Sequence, residues 1–483
     1  MRANRQFPFV ALVCFTLVGC GAKENRPSPR DRPEIELKSD PPVVVVPKDK
    51  TPVTPAVIPQ PEQVPVTDAD KAKLEELQKK GASVFGPQAT GGYIIGIDRD
   101  ANASVLLPLL KGLKGVIELS IENEALTDEH VQHLEGLEYL ERLSLLRCSK
   151  VSGVNFGVLA KLPRLKVLAF VECPLTDVAC EPIGLCKKLE EVAFNSSRIT
   201  DAGLHELSGL PALVGISLYA TPVTGSAFAT PGWAKLKFIE APNGQFDDAG
   251  LEAVSGLPAL ESLDIRATRV TDAGAKYLER AKKLTDLNLN NTAVGDAGLG
   301  AIGKLPALKK LHLEETKVTD TGVAALGAVN TLRVLNLEKT AVTGAAFAKF
   351  AQPSSLRKLN LNDTQFSDAN GPHLARFTAL TNLSLTTCPV TDTGLTALGT
   401  LKKLTNLNLS KTRAGDGAAK LVGTLPELEI ASFDGTLLTD AGLKDAARGA
   451  ALKFLYARDT KVTKRGAIEA SKFARPGVKI DAG

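Results

Sequence analysis

The chain has 483 residues, with 58 Lys and Arg against 54 Asp and Glu, which gives a formal net charge of +4 at neutral pH. Charges of both signs are mixed along the chain, and this argues against a nucleic-acid-binding protein because such proteins carry a basic stripe. The seven Cys residues predict neither a disulfide framework nor a zinc site, since those in the body of the chain replace buried small or apolar residues.

The first residues predict a secretion signal. Two Arg residues precede an apolar run from Phe7 to Val18, which is too short to cross a bilayer as a mature helix. The sequence Leu-Val-Gly-Cys at 17–20 resembles the lipobox of bacterial lipoproteins, which implies cleavage before Cys20 and lipidation of its thiol and new amino group. We therefore expect residues 1–19 to be removed and Cys20 to anchor an exported protein to the cell envelope, at the periplasmic face or the cell surface.

Two segments separate this signal from the body of the chain. Residues 20–66 are rich in Pro and carry interspersed charges, so they cannot bury a core and are predicted to form a disordered tether. Residues 67–98 predict a capping helix and a first strand. Thr67 is the N-cap candidate of that helix, and Leu74 and Leu77 are its apolar positions.

From residue 99 to residue 475 the chain repeats every 24 residues. A leading Leu recurs at 260, 284, 308, 332, 356, 380, 404, 428 and 452, which only a repeat architecture produces. Within one copy, alternation at Leu287 and Leu289 gives way to wider spacing at Leu299 and Ile302, which predicts a strand followed by a helix. One copy buries too little apolar surface to offset the entropy cost of ordering it, so copies must stack.

The pattern Leu-x-x-Leu-x-Leu-x-x-Thr-x-Val resembles the leucine-rich repeat in its ribonuclease-inhibitor-like and cysteine-containing forms. The coil with Cys173 and Cys186 is most similar to the cysteine-containing repeats of F-box adaptor proteins, a resemblance that covers the repeats only. It implies an α/β solenoid, a right-handed curved horseshoe with a concave parallel β-sheet and convex helices. With a terminal strand at 476–483, we expect about 17 strands in this sheet.

Three columns of residues recur at fixed places in successive coils. Small hydrogen-bonding residues, such as Thr316 and Cys388, suit a buried ladder where each strand bends away. Pairs such as Thr271-Asp272 offer two oxygen acceptors at the helix start, and where one is missing the other remains. We interpret both as N-caps rather than metal ligands. A Gly one turn into the helix, as at Gly298, should allow close packing.

Two steps of the repeat are irregular, at 25 residues from Leu140 to Leu165 and 23 residues from Leu213 to Leu236. The second contains the only Trp, Trp233, close to the position that an apolar residue holds in the preceding coil. We interpret this region as a filled packing defect, and a functional kink is the alternative.

No catalytic or metal-binding motif stands out in the sequence. His130 and His133 have a spacing that can bind a metal, but a solvated helix face is the preferred interpretation because no third ligand is visible. Neither a phosphate loop nor a Gly-x-Ser-x-Gly motif is present. We therefore expect a protein that is not an enzyme and that uses no cofactor or metal.

The residues that flank the central Leu of each strand should face the concave side, which in the middle coils is polar and rich in Asn. The candidate ligand-binding residues are Tyr219, Arg266, Asp286, Asn288, Asn290, His312, Glu314, Asn336, Asn360 and Asn362. One interpretation is a solvated surface whose stacked amides hydrogen-bond along the column. The other is a binding face with aromatic residues near its ends, suited to a protein hot spot or to sugar rings.

The sequence thus predicts a non-catalytic scaffold of the cell envelope that presents a concave surface for protein–protein interaction. The alternative is an envelope adhesion or structural component that recognises polysaccharide or associates with itself. We expect a protein partner, membrane attachment through the lipid anchor, and no nucleic-acid ligand.

Overall fold

The structure is a computed structural model, and it describes residues 63–351 and 353–483. The predicted signal segment, Cys20 and the tether up to residue 62 lie outside the described residues. Helix α1 spans Asp68–Lys79 and has the predicted cap. Thr67 Oγ1 accepts the N–H of Asp70 at 3.1 Å, and Asp70 Oδ2 accepts the N–H of Thr67 at 2.9 Å. Leu74 and Leu77 of this helix are buried in the common core.

One sheet of eighteen strands runs through the described residues. The strands are Ser83–Phe85 (β1), Tyr93–Ile97 (β2), Val116–Glu122 (β3), Arg142–Leu146 (β4), Val167–Val171 (β5), Glu191–Asn195 (β6), Gly215–Ser217 (β7), Phe238–Glu240 (β8), Ser262–Asp264 (β9), Asp286–Asn288 (β10), Lys310–His312 (β11), Val334–Asn336 (β12), Lys358–Asn360 (β13), Asn382–Ser384 (β14), Asn406–Asn408 (β15), Ile430–Ser432 (β16), Phe454–Tyr456 (β17) and Lys479–Asp481 (β18). Strands β2 to β18 pair in parallel with their chain neighbours, so the predicted set of 17 parallel strands is confirmed. Strand β1 pairs antiparallel with β2 and was not predicted, because its residues belong to no repeat.

Short helices cover the other side of the coils. The remaining α-helices are Ala103–Leu110 (α2), Cys180–Ile183 (α3), Asp201–His205 (α4), Asp248–Ser255 (α5), Asp272–Ala275 (α6), Asp296–Ile302 (α7), Asp320–Ala325 (α8), Gly371–Leu374 (α9), Asp392–Leu395 (α10), Asp416–Val422 (α11), Asp440–Ala446 (α12) and Lys464–Ser471 (α13). Turns of 3₁₀ helix lie at His130–Leu134, Phe156–Lys161, Asp177–Ala179, Ser226–Ala229, Lys276–Arg280, Leu326–Ala328, Ala345–Lys349, Pro353–Ser355, Asp368–Asn370 and Thr396–Thr400. Several coils therefore turn back with a single 3₁₀ turn, and the predicted helix is rarely longer than two turns.

The apolar positions of all coils meet in one continuous core. In the copy that begins at Leu284, the predicted core residues are at most 2% exposed; these are Leu284, Leu287, Leu289, Val294, Leu299, Ile302 and Leu305. The irregular coils keep this register, since Leu143 pairs with Leu168 and Ile216 with Ile239. The additional or missing residue is therefore absorbed outside the strands.

The Thr column forms the buried ladder that the sequence predicts. Thr316 Oγ1 donates to the carbonyl of Leu313 at 2.6 Å, in the same coil. Cys388 occupies the same place in its coil, and its Sγ donates to the carbonyl of Leu361 in the preceding coil at 3.0 Å. These two ladder residues thus satisfy carbonyls just past the strand ends, where the backbone bends away.

The Asp at the start of a convex helix caps the next coil rather than its own helix. Asp272 Oδ1 accepts the N–H of Gly298 at 2.9 Å, and Asp296 accepts the N–H and the hydroxyl of Thr319 at 2.7 and 2.6 Å. The Thr caps its own helix, because Thr319 Oγ1 accepts the N–H of Thr321 at 3.2 Å. The expectation that both side chains serve one helix is therefore wrong. Residues that are far apart along the chain become neighbours only when the coils stack.

The Gly column provides the space that this carboxylate occupies. A Cβ built on Gly322 would lie 2.5 Å from Oδ1 of Asp296 in the preceding coil, a distance that real Cβ atoms do not adopt. The same clash would arise at Gly394 with Asp368. The predicted close packing is thus confirmed, and its partner is the linking carboxylate.

The coil with the 23-residue step is filled by its Trp. Trp233 is 3% exposed, its ring lies 5.1 Å from that of Phe228, and its Nε1 donates to the carbonyl of Ala227 at 3.2 Å. These contacts support the interpretation of a filled packing defect. The five Cys residues of the described segments are buried and unbridged.

Candidate functional site

The concave face is built from three positions in each coil. In the coil of strand β10, Leu287 points into the core, while Asp286, Asn288 and the following Asn290 lie on the concave side and are partly exposed. We call these the first, second and third concave positions. Because all strands from β2 to β18 are parallel and in register, each position forms a row across the sheet.

Asn side chains in the second row hold the backbone of their own coil. Asn288 Oδ1 accepts the N–H of Asn290 at 3.1 Å, and Asn360 Oδ1 accepts the N–H of Asn362 at 3.0 Å. In the same way, the backbone N–H groups of the third-position residues donate to second-position side-chain oxygens in three other coils: Glu338 to Asn336, Ser410 to Asn408 and Arg266 to Asp264. The side chain thus replaces a backbone acceptor for the third-position N–H, which lies beyond the end of the short strand.

Where the second position is not Asn or Asp, the acceptor comes from the third position of the preceding coil. Asn290 Oδ1 accepts the N–H of Glu314 at 2.8 Å in the coil where His312 holds the second position. The same bond, from a backbone N–H to a side-chain oxygen of the preceding coil, joins Tyr219 to Asn195, Thr386 to Asn362 and Arg458 to Asp434. In the coil where Glu240 holds the second position, the third is Pro242, which has no N–H.

The Asn-rich surface is therefore largely a structural device. Five of the predicted Asn residues accept a backbone N–H group with their side-chain carbonyl. These are Asn288, Asn290, Asn336, Asn360 and Asn362. One interpretation of the sequence expected the amides to hydrogen-bond to one another along the column, but within the described residues they do not. Their Nδ2 groups reach carboxylates instead, since Asn360 donates to Glu338 at 2.8 Å. A ligand on this face can therefore bind only to side-chain groups that are not already engaged in these hydrogen bonds.

Four predicted residues keep exposed functional groups. Tyr219 is 39% exposed, and the side chains of Arg266, Asp286 and Glu314 are 48%, 31% and 30% exposed. Arg266 to Asn362 occupy consecutive coils, so the fold brings nine of the ten predicted residues into one surface. Tyr219 lies further along, with the coil of Phe238 and Pro242 between it and Arg266.

An acidic pair next to Arg266 was not among the predicted residues. Burial, and then the charge of Asp264, raises the pKa of Glu240 to about 7. Glu240 Oε2 is buried and has no hydrogen-bond partner among the described residues. Burial also raises the pKa of Asp264, although Arg266 Nη1, 3.6 Å from its carboxylate, opposes this. The 23-residue step shifts Glu240 out of the regular spacing, and correcting for that step would have placed it in the second row.

The middle of the face is less charged than its sequence suggests. Burial lowers the pKa of His312 to about 4, although the charge of Asp286 opposes this, so the imidazole is neutral at neutral pH. Asp286 is paired with Lys310 Nζ at 2.5 Å. Burial and the nearby Glu338 raise the pKa of Glu314. Arg266 is therefore an exposed positive charge. Glu240, whose pKa is raised, lies in the coil before it, and the neutral imidazole of His312 lies two coils after it.

One member of the His pair on the convex side, His130, is engaged in local hydrogen bonds. Nδ1 of His130 lies 2.9 Å from Thr127 Oγ1, and its Nε2 lies 3.1 Å from Ser104 Oγ. Within the described residues no group of three or more His, Cys, Asp or Glu side chains could hold a metal ion. None of the helices found in this part of the chain has the length and apolar character needed to span a membrane.

Comparison with known proteins supports the fold. Residues 280–303 and 304–327 each match the family model described as Leucine Rich repeat. An internalin from Listeria monocytogenes is similar over 73% of this chain and 98% of its own, at 17% identity and a TM-score of 0.51. TLR13, in its complex with ssRNA13, is similar over 76% of this chain and 57% of its own, at 18% identity and a TM-score of 0.52. Among curated protein sequences, none matches the chain. The fold is that of a leucine-rich-repeat solenoid.

Proposed function

We propose that this solenoid is a non-catalytic binding scaffold of the bacterial cell envelope, anchored through lipid on Cys20, which binds a protein partner on its concave face. The observation that carries the proposal is the group of exposed side chains left beside the structural Asn rows. Tyr219 and Arg266 are residue types that dominate protein–protein hot spots, and the buried acidic pair beside Arg266 gives the surface a distinct electrostatic character.

The first experiment tests the concave face. The chain carrying Tyr219→Ala and Arg266→Glu is used as bait in an envelope extract, beside the parent chain. Asn288 is left unchanged because its amide holds the backbone. Arg269→Glu is the matched control, since Arg269 is an exposed residue of the same coil on the loop after the strand. Loss of the recovered partner in the double variant alone supports the proposal, and retained binding moves the site elsewhere.

The second experiment tests the anchor. Metabolic labelling with an acyl-chain analogue should mark the parent chain, and Cys20→Ala should abolish the label and release the protein from the membrane fraction. A parent chain that stays unlabelled removes the anchor from the proposal without affecting the concave face.

A polysaccharide ligand is the second candidate, and one observation favours it. The rings of Phe454 and Tyr456 lie on the concave face of β17 with centroids 6.4 Å apart and planes 5° apart. Parallel aromatic rings offer a flat surface of the kind on which sugar rings stack. A glycan array probed with the parent chain and with Tyr456→Ala distinguishes this candidate from the first.

A further inference from the structure

One edge of the solenoid collects most of its positive charge. Each coil passes from its convex helix back to the next strand through a turn, and these turns all lie along the same edge. Each turn contributes seven residues, from five places before the leading apolar position of a coil to one place after it. In the coil led by Leu308 these are residues 303–309. We call the whole set of turns the return edge. Sixteen such turns lie between residues 111 and 478.

The return edge is basic although the chain is nearly neutral. Its turns carry 23 Lys and Arg against 8 Asp and Glu, whereas the remainder of residues 63–483 carries 26 against 39. Six consecutive turns, from residue 279 to residue 405, carry ten basic residues and one acidic residue. The charges are mixed along the chain, but the 24-residue period sorts them in space. The folded chain therefore carries a basic stripe, contrary to the expectation from the order of charges along the sequence.

Helix ends account for only part of this stripe. Basic residues near a helix C-terminus are favoured by the macrodipole, but that effect fades within the last turn. Lys283, Lys309 and Lys403 lie beyond their helices, and all three are exposed. Within the described residues, Lys282, Lys283, Lys402 and Lys403 form no ion pair of 4 Å or less. These charges are therefore available to an outside partner.

The described chain begins at this same edge. Val64 is 8% exposed, and its N–H donates to the carbonyl of Thr90 at 2.8 Å, in the loop that leads into strand β2, one coil before the first return turn. Val64 also lines a cavity of about 490 Å³ together with Tyr139, Glu141, Arg164, Lys166 and Lys188, which belong to the second, third and fourth return turns. The described residues therefore begin beside the return edge, and 42 residues of sequence separate Cys20 from Gln63.

We infer that the return edge is a docking surface for anionic lipid headgroups. A row of Lys and Arg near a negatively charged bilayer is attracted to it, and the attraction is screened by salt. An anchor at Cys20 would hold the edge that carries its own attachment point against the bilayer, and in this respect the inference rests on the proposed lipid anchor. The sheet then stands upright on the membrane, with its concave face open to a partner from the side.

The experiment measures vesicle binding without the anchor. The chain from Gly21 onward, which keeps every described residue, is sedimented with phosphatidylcholine vesicles that contain or lack about 30% phosphatidylglycerol, in about 50 mM and about 200 mM salt. The edge variant carries Lys282→Glu, Lys283→Glu, Lys402→Glu and Lys403→Glu. The matched control carries the same charge change on the opposite edge, at Arg269, Lys317, Arg413 and Lys461, all exposed.

The parent and the control should bind the anionic vesicles in the lower salt and lose binding in the higher salt, and the edge variant should bind at least tenfold more weakly. Equal weakening of the two variants overturns the inference, as does equal binding of the parent to both kinds of vesicle. Binding of a single-stranded RNA in preference to the anionic vesicles reassigns the edge to nucleic acid. Acyl labelling is measured separately, so failure of the anchor and failure of the edge give different results.

Discussion

Asp272 and Gly298 meet across the boundary between two coils: Oδ1 of Asp272 accepts the N–H of Gly298 at 2.9 Å, and a Cβ on Gly298 would lie 2.7 Å from that oxygen. The same oxygen accepts the N–H of Gly295 at 2.7 Å. Helix α7 has Gly295 at its N-cap and no capping side chain of its own, so Asp272 is its cap. The start of one helix is thus stabilised by the preceding coil.

Replacing Asp272 should lower the free energy of unfolding more than replacing Asp248, the equivalent residue one coil earlier. Asp272→Ala leaves α7 without a side-chain cap and should lower the free energy of unfolding by about 2 kcal/mol. Asp248→Ala should cost about 1 kcal/mol, because Thr271 Oγ1 still accepts the N–H of Ala273 at 3.1 Å. Urea unfolding gives the two values, and amide exchange at Gly298 should accelerate in the first variant only. Equal costs would show that Thr271 contributes nothing to its own helix.

The Thr ladder provides a second test. Thr316→Val removes the hydroxyl that donates to the carbonyl of Leu313 and should cost about 1–3 kcal/mol of unfolding free energy, since it leaves a buried acceptor unpaired. Thr316→Cys should cost less, because the ladder already accommodates Cys388. Thermal or urea unfolding of the two variants measures the difference. Negligible effects from both changes would contradict the buried hydrogen bond.

A row of left-handed residues precedes the ladder, and replacing one of them should stabilise the fold. Among the described residues, thirteen other than Gly have φ between 51° and 65°, and the β-branched Thr387 has the largest value. A left-handed conformation costs a residue with a Cβ about 1–2 kcal/mol, so Thr387→Gly should raise the free energy of unfolding by up to about 1 kcal/mol after the entropy cost of Gly. The matched change is Gly435→Ala, which occupies the same position with φ of 67°. It should lower stability by a similar amount in urea unfolding.

The pH dependence of stability should change when Glu240 is replaced. Burial and the charge of Asp264 raise its pKa from 4.5 to about 7, so the folded chain retains a proton that the unfolded chain releases. This stabilisation is complete below the unfolded pKa and is lost as the pH rises through about 7. Glu240→Gln should therefore gain stability relative to the parent chain between about pH 5 and pH 8, by about 2–3 kcal/mol at the upper end.

The variant must be compared with the parent chain at each pH, because the lowered pKa of His312 makes stability rise with pH whereas the raised pKa of Glu240 makes it fall. The pKa of His312 is lowered to about 4, so its contribution is present above its ordinary pKa of 6.5 and is lost as the pH falls through about 4. This contribution is common to both proteins and cancels in the difference. Glu172→Gln is the control, since that carboxylate is 54% exposed. A difference between Glu240→Gln and the parent that does not vary with pH would contradict the raised pKa.

The repeat period predicted the fold because burial is periodic. Leu287 and Leu289 alternate as a strand requires, and every coil repeats them in register, so strand positions and the parallel sheet follow from spacing alone. Strand β1 could not be predicted this way, since Ser83–Phe85 has no counterpart in other coils. The Thr ladder was also predictable, because it needs contacts only within one coil or between equivalent positions.

The contacts that sequence reasoning missed join residues in different coils. Asp296 follows Gly295 directly, which suggests a cap for its own helix, yet its carboxylate reaches Thr319 in the next coil. The concave Asn residues seemed free to bind a ligand because their backbone partners depend on where each short strand ends. Asn290 serves the coil of His312, and only the paired geometry reveals this. The concave residues named from the sequence lie together on one surface, but most of their Asn side chains are already bonded to the backbone.

Three glycines interrupt the series of linking aspartates. Gly153, Gly225 and Gly344 stand where other coils have the Asp, and all three are left-handed, with φ of 100°, 94° and 96°. Next to two of them the following coil places a large ring: a Cβ on Gly225 would lie 2.4 Å from Phe246, and one on Gly344 would lie 2.5 Å from Phe366. At these junctions no Asp side chain bridges the two helix starts within the described residues.

The described solenoid is consequently divided into four blocks: Asp bridges join the helix starts within the blocks, and no such bridge joins them at the three junctions. In a repeat protein each interface contributes its own coupling energy, so cooperativity weakens where an interface is weak. The blocks should behave as separate foldons, with amide protection changing in steps near residues 153, 225 and 344. The surface from Arg266 to Asn362 spans the last of these boundaries. A ligand bound there would tie two foldons together and should raise the protection of both.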